Sequence, residues 1–369
     1  MDVDLEIQEN VPLAPLSTIG VGGIARYYTR ATHPEAVAAA LRWAAQRSLP
    51  MFVLGGGSNV IIADEGHAGL VLHVALRGVE AHQRDGQVEL RVAAGEDWDA
   101  LVGMAVGHGW AGLECLSGIP GLVGATPIQN VGAYGQDVSE TLTSVETLDR
   151  QTLRQAVFAN EDCRFGYRES RFKREDRERH IVLAVTYRLR PGGAPAVRYA
   201  ELVRHLQEQD RPSPTVAEVR EAVIELRRRK SMVLNPEDPD ARSVGSFFVN
   251  PVVGADTFAE VQKAVGDDTT VPHWPMPGGR VKLSAAWLIE HAGLARGYRR
   301  GNVGLSSRHA LAIVNRGNAA ARDVIELARE VRGKVHERFG VLLTPEPVFV
   351  NVALEQAEVP STTPAGTDL

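Results

Sequence analysis

Cysteine is nearly absent: the 369-residue chain holds only Cys115 and Cys163, which excludes a disulfide framework and any Cys-rich zinc site. No apolar run approaches the roughly 20 residues that a helix needs to span a bilayer. The opening MDVDLEIQEN is acidic and lacks the basic-then-apolar order of a signal peptide, so a cytoplasmic protein without membrane insertion is expected. Basic excess is also missing. The formal net charge is −6, whereas a nucleic-acid protein carries a positive face. The single dense basic run, Arg227-Arg228-Arg229-Lys230, is left to bind a small anion or to end a solvated helix. Eleven histidines show no His-Glu-x-x-His and no other ligand-like spacing, so no metal site is expected.

What is present is ordinary globular material, 44% hydrophobic and 23% charged. The length exceeds what one core supports and predicts two or three domains. PEAVAAALRWAAQ (34–46) reads as a helix with Pro34 in its first turn. MFVLG and NVIIA read as short strands flanking Gly55-Gly56-Gly57-Ser58. QVELRVAAG (87–95) alternates like a strand, and DWDALVGMAVGHG (97–109) reads as a helix ending in glycine. HIVLAVTYRL (180–189) is a strand with Ile181, Leu183, Val185, Tyr187 and Leu189 on one face. After the boundary signal PGGAPA (191–196), Thr215 and Glu218 stand at capping-box spacing ahead of a helix. Further helices are expected near 256–265, 284–293 and 321–340, the last stopped by Gly340, with a strand at 310–315.

Glycine marks the first candidate chemistry. GVGGIA (20–25) fits a dinucleotide fingerprint on paper, but no convincing strand precedes it and residues 37–50 hold no acid for a ribose hydroxyl. GGGSN is better placed, directly after a strand. Three glycines allow φ > 0 and let successive backbone N–H groups converge on an anion, with Ser58 and Asn59 adding side-chain donors; a flexible hairpin turn is the plain alternative. LSGIPGLVGATPIQNVGAYG (116–135) repeats the device with few charges, which suits a backbone wrapped around an extended ligand bearing a pyrophosphate and a flat ring. Three polar groups sit in dry-looking surroundings. Arg168 lies among Phe165, Tyr167 and Phe172, Glu346 stands between two prolines in an apolar run, and Ser246 precedes Phe247 and Phe248.

GGGSNVII (55–62), GLECLSGIPGLVGATPIQNVGAYG (112–135), CRFGYRES (163–170) and GSFFVNP (245–251), in this order and spacing, resemble the UDP-N-acetylenolpyruvoylglucosamine reductase (MurB) family, from about Leu16 to residue 352. The resemblance implies an α+β fold. A two-subdomain FAD-binding domain of the vanillyl-alcohol-oxidase (PCMH) type would cover 16–191, divided near 77/78. A C-terminal α+β substrate-binding domain would cover 192–355, and a disordered tail 356–369. It implies NADPH-dependent, FAD-mediated reduction of an enolpyruvyl ether of UDP-N-acetylglucosamine to UDP-N-acetylmuramate, a step in making peptidoglycan. By position, Gly55, Gly56, Gly57, Ser58 and Asn59 fall on the flavin pyrophosphate loop. Ser117, Gly118, Gly121, Gly124, Ala125, Thr126, Gln129, Asn130, Gly132, Ala133 and Tyr134 fall on the second flavin segment. Arg168, Ser246 and Glu346 fall on the catalytic trio, with Ser246 as proton donor and the other two stabilising an enolic species. Tyr199, Lys230 and Asn250 fall on substrate-binding positions. Tyr199 and the chain length match the longer subtype (type I), in which a tyrosine-bearing loop covers the substrate. Neither Gly-rich segment holds His or Cys, and His67 is only nearby, so the flavin is expected to be non-covalent. Pro347-Val348 departs from the family pattern and weakens any flavin contact from that strand. The phenylalanines of GSFFVNP are expected to wall the site against water, and a monomer is expected.

Two rivals make different demands. A flavin oxidase or dehydrogenase of the same fold, acting on a sugar alcohol or hydroxy acid, has no use for a serine facing the flavin. A non-catalytic nucleotide-sugar-binding protein should have lost a member of the trio, and all three are present.

Overall fold

The computed structural model describes residues 5–266 and 268–354; the expected tail at 356–369 lies outside the described residues. Helix α1 (Pro34–Gln46) forms where Val37, Ala40, Leu41 and Ala44 recur at helical spacing and are buried. Its first turn is capped by His33, whose Nδ1 accepts from the Ala36 N–H at 3.2 Å. That apolar face packs on the strands Ile24–Ala31 and His67–Val74. Their sheet runs in the order Gln8–Pro12, Ile24–Ala31, His67–Val74, Met51–Leu54, antiparallel at the first pair and parallel thereafter.

The two strands around the first glycine loop do not form a hairpin. Met51–Leu54 ends that sheet, while Val60–Ile62 leaves it and pairs in parallel with Val348–Val350 from the far end of the chain. The glycines therefore redirect the backbone between two sheets.

A second, antiparallel sheet has the order Gln155–Ala159, Leu142–Asp149, His180–Pro191, Gln87–Ala93, Val79–Arg84. Its long strand His180–Pro191 buries Val182 and Ala184 as well as the expected face, so its first half is covered on both sides, while Arg188 and Arg190 leave one side of its second half exposed. Helix α2 (Trp98–Gly107), capped by Asp97 Oδ1 at 2.8 Å from the Ala100 N–H, joins both sheets in one core that also holds Tyr187. Helices α3 (Ala200–Glu208) and α4 (Val216–Arg229) follow, the latter opening on the expected reciprocal box between Thr215 and Glu218. Leu202, Leu206, Val219, Val223 and Leu226 enclose Cys115, so the pair rests on the first lobe.

The remaining chain builds a separate core. Ser243–Ser246, Ala312–Asn315, Val303–Leu305 and Arg299–Arg300 form an antiparallel sheet in that order, packed with α5 (Ala255–Val265), α6 (Ala285–His291) and α7 (Ala321–Phe339). Gly340 stops α7 at φ +66°. The chain then returns to the first lobe through Val348–Val350, and the turn before that strand carries Glu346.

Candidate active site

The two Gly-rich segments touch one another. A Cβ on Gly56 would lie 2.9 Å from Gly121 Cα, and one on Gly121 would lie 2.7 Å from Ser58 Oγ. Gly57 has φ +63°, and a Cβ there would sit 1.8 Å from the Leu16 carbonyl oxygen. Gly55 differs, since a Cβ there meets nothing within 4 Å. Among the described residues, the backbone N–H groups of Gly56, Gly57, Ser58 and Asn59 find no protein acceptor. Such a row of successive free donors fits a pyrophosphate. Beneath the second segment, Gly118 approaches Arg227, and the buried Arg227 Nε and Ser231 Oγ have no partner among the described residues. The residues present therefore fit FAD.

Other members of the second segment serve the protein itself. Ser117 Oγ donates to the Glu114 carbonyl at 2.7 Å, and Thr126 Oγ1 lies 2.7 Å from the Tyr187 hydroxyl. Gly124 packs on Ala94, and the Asn130 amide donates to the Gly166 carbonyl at 2.9 Å. Gly118 gives its N–H to Asp99 at 2.6 Å. Gly132 and Ala133 pair with Asp137 and Gln136 in a short hairpin. Ala125 is exposed, while Gln129 and Tyr134 are half-buried.

Gln129 links the cradle to the trio. It accepts from Asn59 Nδ2 at 3.0 Å and donates to Glu346 Oε1 at 3.3 Å. The Glu346 backbone N–H donates to the Phe247 carbonyl at 2.9 Å, and the Val348 N–H donates to the Asn59 carbonyl at 3.0 Å. Glu346 is thus fixed to the strand end bearing Ser246 on one side and to the glycine loop on the other. Pro347 has no N–H to contribute and disrupts neither bond. The Glu346 side chain is 16% exposed, with Oε1 3.7 Å from Arg168 Nε. Burial pushes its carboxyl above the usual range, with Arg168 and then Lys173 opposing.

Arg168 is in the left-handed region, φ +57°, an uncommon conformation for a side chain of this size. Its guanidinium donates to the Gly132 carbonyl, to the Asn130 carbonyl at 3.4 Å and to Asp137 Oδ1 at 3.4 Å. Burial raises the Asp137 carboxyl, with Arg168 pulling the other way. Lys282 lies with its ammonium 4.7 Å from the Tyr167 ring centre, its pKa lowered by burial and by Arg168.

Ser246 ends its strand with Oγ 3.2 Å from His309 Nε2. Phe247 and Phe248 do not wall the site. They are 0% and 1% exposed inside the second core, so they anchor the strand and leave Ser246 at its edge. Asn250 uses Oδ1 to accept the Ala285 N–H at the start of α6, 2.9 Å away, which leaves its amide hydrogens for a ligand. Tyr199, 40% exposed, meets Tyr134 edge-on at 5.6 Å between ring centres. Lys230 caps α4 with Nζ 2.6 Å from Glu201 and 5.8 Å from the Tyr134 ring centre. His309, Asp137, Gln129's linking role and Lys282 carried no spacing or motif that reading the chain could use.

Two family models match. One, described as UDP-N-acetylenolpyruvoylglucosamine reductase, C-terminal domain, covers residues 237–350; the other, an FAD binding domain, covers 25–152. A UDP-N-acetylenolpyruvoylglucosamine reductase of Thermobifida fusca is 47% identical over 351 residues, 94% of this chain and 98% of its own. One from Saccharopolyspora erythraea is 50% identical over 350 residues, 93% of this chain and 95% of its own. The crystal structure of UDP-N-acetylenolpyruvylglucosamine reductase (MurB) from Thermus caldophilus matches with a TM-score of 0.63 at 26% identity, covering 94% of this chain and 99% of that one.

Proposed function

The chain belongs to the UDP-N-acetylenolpyruvoylglucosamine reductase family, and from that premise we propose the parts its own residues take in the reaction. The reaction is NADPH-dependent reduction of UDP-N-acetyl-3-O-(1-carboxyvinyl)-glucosamine to UDP-N-acetylmuramate. FAD, when bound and reduced by NADPH, would supply the hydride that the terminal carbon of the enolpyruvyl group accepts. The loop Gly55–Asn59 would hold the cofactor pyrophosphate, through the free N–H groups of Gly56, Gly57, Ser58 and Asn59, and the 117–135 segment would hold the remainder without a covalent bond.

Hydride addition leaves an enolic, doubly charged carboxyl group on the substrate. Arg168 receives that charge with its planar fork, and Glu346, protonated in its buried setting, donates a hydrogen bond to it. A well-aimed donor of this kind is worth about 3–4 kcal/mol. Ser246 then delivers a proton to the neighbouring carbon. A hydroxyl is a weak acid, but the enolic carbon is a strong base and the transfer is short. Lys230 and Asn250 hold phosphate or sugar, and Tyr199 closes over the substrate as in the longer subtype. The protein works as a cytoplasmic monomer, with residues 16–191 as the cofactor domain and 192–355 as the substrate domain. Among the described residues no helix is long and apolar enough to cross a membrane.

The observation that carries this reading is Glu346, tied by its N–H to the residue after Ser246 and lying 3.7 Å from Arg168. The test separates the half-reactions. In Ser246→Ala, flavin reduction by NADPH should stay nearly intact while reoxidation by the enolpyruvyl substrate falls ~10³-fold. Equal slowing of both would make Ser246 a binding or structural residue.

A further inference from the structure

His309 stands in a loop between the strands Val303–Leu305 and Ala312–Asn315, and that loop is clamped from behind. Asp240, 2% exposed, accepts from Ser306 Oγ at 2.8 Å, the Ser307 N–H at 2.6 Å and Ser307 Oγ at 2.8 Å, and also takes the Arg316 guanidinium. Ser306 Oγ in turn accepts the His309 N–H at 3.3 Å. The imidazole is therefore held on a rigid support, with Nε2 3.2 Å from Ser246 Oγ. Among the described residues it is the only side chain bonded to that hydroxyl.

We infer that His309 is the positioning residue for proton delivery: its Nε2–H donates to Ser246 Oγ, turning the hydroxyl hydrogen toward the substrate and stabilising the charge left on Oγ. This rests on Ser246 being the proton donor. A serine hydroxyl has one hydrogen and two lone pairs and rotates freely. An imidazole offering a lone pair would capture that hydrogen, whereas one offering N–H occupies a lone pair and leaves the hydrogen for the carbon. The ring is neutral at physiological pH, because burial first, then Lys230, Arg227 and Arg296 around it, depress its pKa to about 4. The same cations favour negative charge on Oγ. In the transfer, the Oγ–H bond breaks, its electron pair stays on oxygen, and a C–H bond forms on the substrate. Water returns a proton to Oγ afterwards, and His309 neither gains nor loses one.

The test uses FAD-loaded full-length protein in single-turnover experiments on each half-reaction. His309→Ala should slow reoxidation by the enolpyruvyl substrate ~50-fold more than flavin reduction by NADPH, while His309→Gln, whose amide N–H reaches a similar point, should stay within ~5-fold. Placed on Ser246→Ala, His309→Ala should add nothing. In ¹⁵N-histidine NMR of the wild-type protein, Nε2 of His309 should show the shift of a protonated ring nitrogen, a readout independent of turnover and of whether the alanine variant folds. An unprotonated Nε2, equal slowing of both half-reactions, or additive loss on Ser246→Ala overturns the assignment to His309. If Ser246→Ala itself reoxidises at the wild-type rate, the reading of Ser246 falls and takes this one with it. A collapse in Ser246→Ala beside a normal His309→Ala overturns the role of His309 alone.

Discussion

The loop Gly55–Asn59 and the strand end Ser243–Ser246 border one site from different lobes, and they are made of different material. The loop works by having no side chains: Gly57 leaves 1.8 Å between an added Cβ and a carbonyl oxygen, and Gly56 and Gly121 let two backbones meet. The strand end offers one hydroxyl at the edge of a packed core, with the neighbouring phenylalanines buried at 0% and 1% exposure. A wall built from backbone should fail by steric collision and take the fold or cofactor with it. A wall built from single side chains should lose chemistry while the fold survives.

The largest effect expected from that contrast is at Gly57. An alanine there collides with the Leu16 carbonyl, and at φ +63° the residue is strained as well. Gly57→Ala should cost about 3 kcal/mol or more and yield protein with little bound flavin. Thermal unfolding and the visible absorbance of the purified protein measure both. At Gly55 an added Cβ meets nothing within 4 Å, so Gly55→Ala should unfold at the wild-type temperature and bind FAD less tightly. Equal stability in the two variants would break the steric account of the loop.

Next in size is Glu346, where chemistry and stability should separate. If Glu346 donates to the enolic charge as proposed, Glu346→Ala should slow the substrate half-reaction ~10²-fold, and Glu346→Gln, which still offers N–H, should lose only ~10-fold. Burial raises this carboxyl in the folded protein. The folded state therefore binds the proton more tightly than the unfolded chain, whose glutamate titrates at about 4.3. That stabilisation is complete below the unfolded value and disappears as pH rises through the folded one. Glu346→Gln should accordingly melt higher than the wild type at pH 8, with the advantage shrinking toward pH 4. A melting difference that grows on acidification would mean that Arg168 and Lys173, not burial, govern this group.

The same contrast explains what could be read from the chain. Helix α1 and the glycine loops were legible because their physics is local: helical spacing of Val37, Ala40, Leu41 and Ala44, and three glycines in a row. The α+β class came from the family resemblance, and the fold bears it out. The pairing of Val60–Ile62 with Val348–Val350 was not legible, because a parallel partner at the other end of the chain leaves no trace near the loop. Phe247 and Phe248 were misplaced for a related reason, since two adjacent aromatics do not say which face of a strand end meets a core and which a ligand. Arg168, Ser246 and Glu346 come from three distant segments; each stands out as a polar group in apolar surroundings, and only the family resemblance, not mutual spacing, joins them as a trio. His309, between Arg308 and Ala310, had neither motif nor period, and only the folded chain brings it to Ser246.

The smallest effect belongs to a side-chain pair that competes with a ligand. Lys230 is bonded to Glu201 at 2.6 Å, with side-chain exposures of 32% and 30%. Pairs this open contribute about 0–1 kcal/mol, because water screens them and ordering two long side chains costs entropy. Loss of Glu201 should therefore barely move the melting temperature. If Lys230 holds a substrate phosphate, it must surrender Glu201 on binding, and that exchange opposes affinity by a similar amount. Glu201→Gln should lower KM for the UDP-sugar by about two- to fivefold with kcat unchanged, the pattern of a change in binding shared by ground and transition states. A rise in KM would reverse the relation: Glu201 would then be aiming Lys230 at the ligand, and even this half-buried pair would belong to the built side-chain wall.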